Sequence, residues 1–314
     1  MSAIITITFS PCIDKSTSVS SLMPEKKLRC AAPKLEPGGG GINVARVLQR
    51  LGAEVSAVFP SGGYTGKFFN HLLEDEKVPA VIIETKNETR ENIIVLDESS
   101  NHQYRFGMPG TELSESEWQQ CLKAIDQIND PEFIVASGSL PPGVPLNIYA
   151  QLARIAKSKK AKFVVDTSGE ALIHAVSEEV YLIKPNLNEL STLAETDKID
   201  INKIEESARI VLKKNKCEVI VVSMGEKGAV LVTKDLTHKV IPPKVERKST
   251  VGAGDSMVAG IVYSLYSGMN LKQALEYGVA CGTATTMNPG TELCRPEDVK
   301  KLYSLIQNNM SPDS

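Results

Sequence analysis

The run Ser249-Thr250-Val251-Gly252-Ala253-Gly254-Asp255-Ser256-Met257 sets a carboxylate beside two glycines, just where an apolar, small-residue stretch begins at 258–265. A helix starting there leaves the N–H groups of residues 252–255 without intrahelical partners, and these donors together with the helix dipole favour an anion such as phosphate. Gly252 and Gly254 lack the Cβ atoms that would hold a nucleotide's phosphates off the backbone, and Asp255 is a candidate general base for a hydroxyl. The same Gly-x-Gly-Asp string occurs at ordinary loop-to-helix junctions, where the aspartate only supplies an N-terminal charge. Both readings stand on these residues alone.

Other polar residues fall where they could serve one transfer reaction. Gly39 and Gly40, in the run Gly38-Gly39-Gly40-Gly41, allow backbone amides to approach a polar ligand, and Asn43 offers a donor and an acceptor from the following helical turn. A dinucleotide-binding loop is a poor fit, because a long insertion separates these glycines from the first strand and no acidic residue ends the second. A sugar's vicinal hydroxyls match better, with Asp14 as a further acceptor; a turn or capping role for Asp14 is equally open. Lys27, Arg90 and Arg105 together can bind a dianion, or singly be exposed charges. Asn186 and Glu189 open a helix directly after an apolar strand, and Glu189 there is either a helix-start carboxylate or an outer-sphere Mg²⁺ ligand. Ser223, Gly225 and Gly228 follow another strand and bring polar atoms and bare backbone to the sheet edge.

These residues require elements to hold them. Short apolar runs at 4–9, 55–59, 133–136, 163–165, 180–183 and 219–222 alternate with helical stretches, the first helix running from Ile42 to a stop at Gly52. That rhythm predicts an α/β protein with a mainly parallel sheet covered by helices on both faces. Pro11 is expected to end the first strand, with Asp14 just beyond it. Segments 26–36 and 90–107 break the rhythm and read as an antiparallel flap that covers a site, pairs with another subunit, or does both. The polar tail after about Asn308 reads as frayed.

Bulk properties narrow the classes. At 314 residues, with 42% hydrophobic and 23% charged residues, the chain suits one large α/β unit with an insertion. A net charge of −3 and a pI near 5.9 give no electrostatic reason to bind nucleic acid or an acidic membrane. No apolar run approaches the roughly 18 to 20 residues needed to span a bilayer. Six scattered cysteines without a Cys-x-x-Cys pair, and no apolar leader before them, point to a reduced cytoplasm, and four dispersed histidines make a zinc site improbable.

Taken together, the glycine-rich entry at 38–43, Asn186-x-x-Glu189, Ser223-x-Gly225-x-x-Gly228 and Thr250-Val251-Gly252-Ala253-Gly254-Asp255 resemble, in order and spacing, the ribokinase/PfkB sugar kinases across nearly the whole chain. Lys27-Leu28-Arg29-Cys30, Gln103-Tyr104-Arg105-Phe106, Ser137-Gly138-Ser139-Leu140-Pro141-Pro142-Gly143 and Ser168-Gly169-Glu170 resemble the phosphosugar branch, in particular the minor bacterial 6-phosphofructokinases. The resemblance implies a ribokinase-like three-layer αβα domain over 1–314 with a small β-sheet lid from segments about 14–36 and 90–107, dimerising through the lids. It implies transfer of phosphate from ATP, with Mg²⁺, to the 1-hydroxyl of fructose 6-phosphate, with Asp255 as base and Gly252, Ala253 and Gly254 as anion hole. Asp14, Gly39, Gly40, Asn43 and Ser139 would hold sugar hydroxyls, and Arg90, Arg105 and Lys27 the existing phosphate. Lys184, Asn186, Ser223, Gly225, Gly228 and Thr250 would line the ATP groove. Ser249, Val251, Asn288 and Gly290 resemble a potassium site, although Glu292 stands where a basic residue is expected. Ser10 replaces the asparagine typical of the tagatose-6-phosphate and 1-phosphofructokinase branches, which remain the nearest alternatives. A catalytically silent sugar-phosphate or nucleotide binding protein and a dinucleotide-dependent oxidoreductase are more distant ones.

Overall fold

The structure, a computed structural model, describes residues 3–310. Its strands are β1 (Ile4–Ile7), β2 (Cys12–Val19), β3 (Lys34–Gly38), β4 (Val55–Gly62), β5 (Ala80–Thr85), β6 (Arg90–Asp97), β7 (His102–Phe106), β8 (Phe133–Ser137), β9 (Lys162–Asp166), β10 (Val180–Ile183), β11 (Cys217–Ser223), β12 (Ala229–Val232) and β13 (Thr237–Val240). Nine of them form one sheet in the order β13-β12-β11-β10-β9-β8-β1-β4-β5. Neighbours from β5 across to β11 run parallel, and β12 and β13 close that edge antiparallel.

The central strands read as continuous apolar runs because both faces of the sheet are covered. Along β8, Phe133 and Val135 enter one core while Ile134 and Ala136 enter the other, and β11 splits Val219 and Val221 from Ile220 and Val222 in the same way. The first core is covered by α1 (Gly40–Leu51), α2 (Gly63–Asp75), α8 (Ala253–Tyr266), α9 (Leu271–Thr286) and α10 (Pro296–Met310). The second is covered by α3 (Glu115–Gln127), α4 (Ile148–Ser158), α5 (Gly169–Ala175), α6 (Leu187–Leu193) and α7 (Ile204–Lys214). Each fully buried aliphatic or aromatic side chain here contributes about 1.5–3 kcal/mol to folding.

Helix α8 is held against α9 by glycines. A Cβ on Gly278 would lie 2.9 Å from the Met257 carbonyl oxygen, and one on Gly282 3.0 Å from that of Ala253. The four-residue spacing places both glycines on one face of α9, so the backbones approach closely and the first turn of α8 has no room to shift.

Several sequence expectations hold and others are corrected. α1 ends as expected at Gly52, which takes the left-handed conformation at φ 89. The first strand stops at Ile7 rather than Phe9, and Pro11 lies at the turn into β2, so Asp14 sits within a strand. β2, β3, β6 and β7 form the small separate sheet in the order β3-β2-β6-β7. This sheet is mixed rather than antiparallel, since β2 and β6 pair in parallel while the β6–β7 hairpin and the β2–β3 pair are antiparallel. The stretch 27–31 is not a strand but an irregular, mostly exposed connection, because its apolar residues have no covered face to occupy. α10 carries the chain through 308 to Met310, and the rest of the expected tail lies outside the described residues.

Candidate active site

The parallel strands deliver their C-terminal ends to one rim of the large sheet, the place where open α/β sheets bind ligands. Ser137 ends β8, Asp166 ends β9, Lys184 follows β10 and Ser223 ends β11. Opposite them, α1 and α8 point their N-termini at the same space. Gly252 caps α8 at φ 73, a left-handed backbone that favours glycine, and Asp255 falls in the first turn.

Asp255 is the meeting point. Asn43 Nδ2 donates to its Oδ2 at 2.9 Å, and Ser137 Oγ donates to its Oδ1 at 3.3 Å. Burial, reinforced by the neighbouring Asp166 charge, pushes the Asp255 carboxyl up to about 6 against the opposing pull of Asn43, Lys184 and Ser137. Lys184 is buried and pairs with Asp166 Oδ1 at 3.2 Å. Burial works against its charge, but Asp166, with Asp255 and Glu189 farther off, holds its pKa above that of an ordinary lysine. A Cβ on Gly254 would lie 3.4 Å from Lys184 Nζ, so the glycine backbone and the ammonium face a common space that fits a polyanion.

The glycine entry is shaped by contacts. A Cβ on Gly40 would strike Ser137 Oγ, and one on Gly41 the Ile7 carbonyl oxygen. Gly39 takes φ 111, and the Ile42 N–H is fixed by Thr8 Oγ1 at 3.0 Å. Asn43 is thereby presented on the first turn of α1. Ser139 is exposed just past β8, on a loop whose Gly138 carbonyl accepts from Tyr149 and Thr167, each at 2.9 Å.

The small sheet supplies Asp14, Arg90 and Arg105. Asp14 is buried and accepts from Asn92 Nδ2 at 3.0 Å and from the Cys12 thiol at 3.3 Å. Burial raises its pKa against the hydrogen bonds from Asn92 and Cys12 and the charges of Arg90 and Arg46. Arg90 donates to the carbonyls of Met108 at 2.7 Å and Ser10 at 3.1 Å, and its buried Nε has no partner among the described residues. Arg105 crosses from β7 to Thr250 Oγ1 at 2.7 Å, joining the small sheet to the loop before α8. Burial lowers its pKa, offset by Asp14. Lys27 stands exposed on the irregular connection, with no contact to this group among the described residues.

Asn186 and Glu189 form a capping box on α6. Asn186 Oδ1 accepts from the N–H groups of Asn188 and Glu189, both at 2.9 Å, and Glu189 Oε2 accepts from the Asn186 N–H at 2.8 Å. Burial raises the Glu189 pKa, with Asp166 adding to it and the Asn186 backbone opposing. Gly225 at φ 60 and Gly228 at φ 88 turn the chain from β11 into β12, where a Cβ on Gly228 would strike the Val240 carbonyl. Ser249 Oγ donates to the Gly290 carbonyl at 2.6 Å and accepts from the Val251 N–H at 3.2 Å, while buried Asn288 donates to the Leu293 carbonyl at 3.2 Å. These four residues therefore belong to two adjoining loops. Glu292 pairs with Lys34 and Arg295.

The site thus gathers a buried carboxylate at a glycine-lined helix start, a lysine beside it and a small sheet carrying Asp14, Arg90 and Arg105 opposite. The pfkB family carbohydrate kinase model matches residues 4–298. The chain belongs to the pfkB family of carbohydrate kinases. This PfkB kinase is 42% identical over 307 residues to ATP-dependent 6-phosphofructokinase isozyme 2 of Escherichia coli, spanning 98% of this chain and 99% of that protein. It superposes on the crystal structure of phosphofructokinase-2 from Escherichia coli in complex with potassium with a TM-score of 0.93 at 42% identity, covering 98% of this chain and all of the other. On the structure of that enzyme in complex with fructose 6-phosphate the TM-score is 0.92 at 40% identity, with the same coverage.

Four residues that the structure brings to this candidate site carried no site reading in the sequence. Asp166, Ser137 and Asn92 are single polar residues at or inside strands, and Cys12 reads as an ordinary small core residue. The one available signal was position: Ser137 and Asp166 each end an apolar strand whose C-terminus reaches the rim.

Proposed function

We propose that the chain transfers the terminal phosphoryl group of ATP to the 1-hydroxyl of fructose 6-phosphate. The observation that carries this reading is the Asp255 carboxylate, bonded by Asn43 and Ser137 at the glycine-lined start of α8 with Lys184 beside it. With a pKa near 6 it is ionised at neutral pH yet basic enough to accept the hydroxyl proton as attack proceeds. Backbone N–H groups at 252–254 and the Lys184 ammonium face the charge that builds on the transferred group.

Asp14, Asn43, Ser139 and the amides at Gly39 and Gly40 hold the sugar hydroxyls. Arg90 and Arg105 hold the existing phosphate, and the unpartnered Arg90 Nε supports this, because a buried donor gains most from an anionic acceptor. Lys27 joins them from a neighbouring subunit if two small sheets pair as lids; exposed Tyr104 and Phe106 on β7 support such pairing in a homodimer. Asn186, Ser223, Gly225, Gly228 and Thr250 line the nucleotide side.

The donor set fits a Mg²⁺ that keeps most of its waters, with Glu189 and Asp166 as carboxylates near the Lys184 corner. When bound, Mg²⁺ neutralises charge on the phosphates. Potassium fits the loops of Ser249, Val251, Asn288 and Gly290, a reading supported by the relative crystallised with that ion. The deciding experiment compares kcat/KM for fructose 6-phosphate, tagatose 6-phosphate, fructose 1-phosphate and unphosphorylated fructose in an ADP-release assay. A preference for any substrate other than fructose 6-phosphate overturns the substrate assignment.

A further inference from the structure

Arg46, on the third helical position after Asn43, is fully buried, with no part of its side chain reaching solvent. A guanidinium has five N–H donors and no acceptor. All five are used. Nε donates to Glu76 Oε1 at 3.2 Å, Nη1 to the Pro37 carbonyl at 2.8 Å and to Asn43 Oδ1 at 3.4 Å, and Nη2 to Glu76 Oε1 at 2.6 Å and Glu36 Oε1 at 3.4 Å. The clamp is itself anchored: Arg50 holds Glu76 from the next turn of α1, and Thr291 Oγ1 donates to Glu36 Oε2 at 2.8 Å.

The consequence concerns Asn43, whose carboxamide has one accepting and one donating end. Its oxygen faces Arg46, which can only donate, and its nitrogen faces the Asp255 carboxylate, which when ionised can only accept. Turning the amide over would set an N–H against a guanidinium N–H and an oxygen against the carboxylate. We propose that Arg46 is a positioning residue for phosphoryl transfer, locking the Asn43 carboxamide so that its NH₂ group is aimed at Asp255. The inference rests on Asp255 being the base.

The lock selects the protonation state of the base. With the amide fixed, the ionised carboxylate receives a hydrogen bond; with the amide free to turn over, its oxygen is satisfied only by a protonated carboxyl, and ionisation moves to higher pH. The other groups acting on Asp255 stand on separate elements: Asp166 on β9, Lys184 after β10 and Ser137 on β8. Around Arg46 the charged groups are Glu36, Glu76, Arg50 and Lys34, which pairs with the same Glu36 oxygen, with Asp14 within electrostatic reach. None of these substitutes for the contact to Asn43 Oδ1.

The test is the pH profile of kcat/KM in wild type, R46K, E76Q and N43A with and without R46K. R46K keeps a cation between the two glutamates but loses the planar fork. Its acid limb is expected to move up by about half to one pH unit, which is roughly a three- to tenfold lower kcat/KM below the limb, with activity recovering toward a plateau at higher pH. E76Q, which loosens the clamp and keeps Arg46, is expected to move the limb in the same direction by less. In the N43A background R46K is expected to produce no further movement, since the two act through one amide. A uniform loss at every pH with an unmoved limb in the folded variants overturns the proposal, as does an equal displacement in the N43A background. D255N separates the two levels. If D255N stays active, the base assignment fails; if D255N is inactive and the limb of R46K and E76Q does not move, only the role of Arg46 fails.

Discussion

Lys184 Nζ sits 3.2 Å from Asp166 Oδ1, with the two side chains only 8% and 16% exposed. The pair lies beside a third charge, Asp255, which Asp166 repels and Lys184 attracts. Opposite substitutions are therefore expected to move the acid limb of kcat/KM in opposite directions from about 6. D166N removes a like charge and leaves Lys184 to Asp255, so the limb falls. K184M removes the attraction and raises it. Matching profiles for the two variants would contradict this arrangement.

D255N is expected to lower kcat by about two to four orders of magnitude, the range for a placed general base, with little change in ATP affinity by calorimetry. Retention of more than a tenth of wild-type turnover would exclude the base role. The same variant is expected to be more stable than wild type at pH 7.5. A carboxyl whose folded pKa is raised stabilises fully below its unfolded value near 3.8, and that stability is lost as pH rises through about 6. D255N escapes this loss, on the order of 1–3 kcal/mol, so its gain in Tm should be present at pH 7.5 and vanish near pH 3.5.

R90A is expected to raise KM for the phosphosugar by about ten- to a hundredfold, as for loss of a charge-assisted contact, while KM for ATP changes by less than about threefold. Its guanidinium holds the Met108 and Ser10 carbonyls through Nη1 and Nη2, so a parallel fall in Tm is also expected. Equal effects on both KM values would count against phosphate binding.

G282A and G278A are expected to destabilise the fold by roughly 1–3 kcal/mol, because an added methyl must displace the α8 backbone. G282A meets the Ala253 carbonyl in the turn proposed to bind the anion, so it should lower kcat more than G278A does at matched loss of Tm. Thermal melts with steady-state kinetics on the folded fraction measure both. Identical kcat for the two variants would show that the helix contact does not reach the site.

The central strands of the large sheet, β1, β4 and β8 to β11, were legible because they are buried on both faces, which leaves uninterrupted runs such as Phe133-Ile134-Val135-Ala136, whereas the strands toward its edges, β5, β12 and β13, were not read. The small sheet was harder. β2 reads Cys-Ile-Asp-Lys-Ser-Thr-Ser-Val, a polar string whose strand character comes from its partners β3 and β6 rather than from its own residues. Asp255, Gly252 and Gly254 stood out because the helix start and the chemistry share one short motif. Asp166 and Ser137 did not, since each is a lone polar residue that gains meaning only where several strand ends converge. Arg46 carried no signal of its own, although its place four residues after buried Ile42 puts it on the covered face of α1.

The parallel pairing of β2 with β6 also governs the order in which the molecule can assemble. Cys12 lies opposite Arg90 and Val19 opposite Asp97, so the chain must close a loop of 78 residues before the ladder begins. Pairings that distant in sequence form late and slowly. On a chain emerging from the ribosome, Asp14 waits for the arrival of Asn92, its hydrogen-bond partner, and Asn43 waits far longer for Asp255. The pairing that fixes Asp14 can therefore form while α8 is still being made, and the contact between Asn43 and Asp255 is completed only when α8 docks.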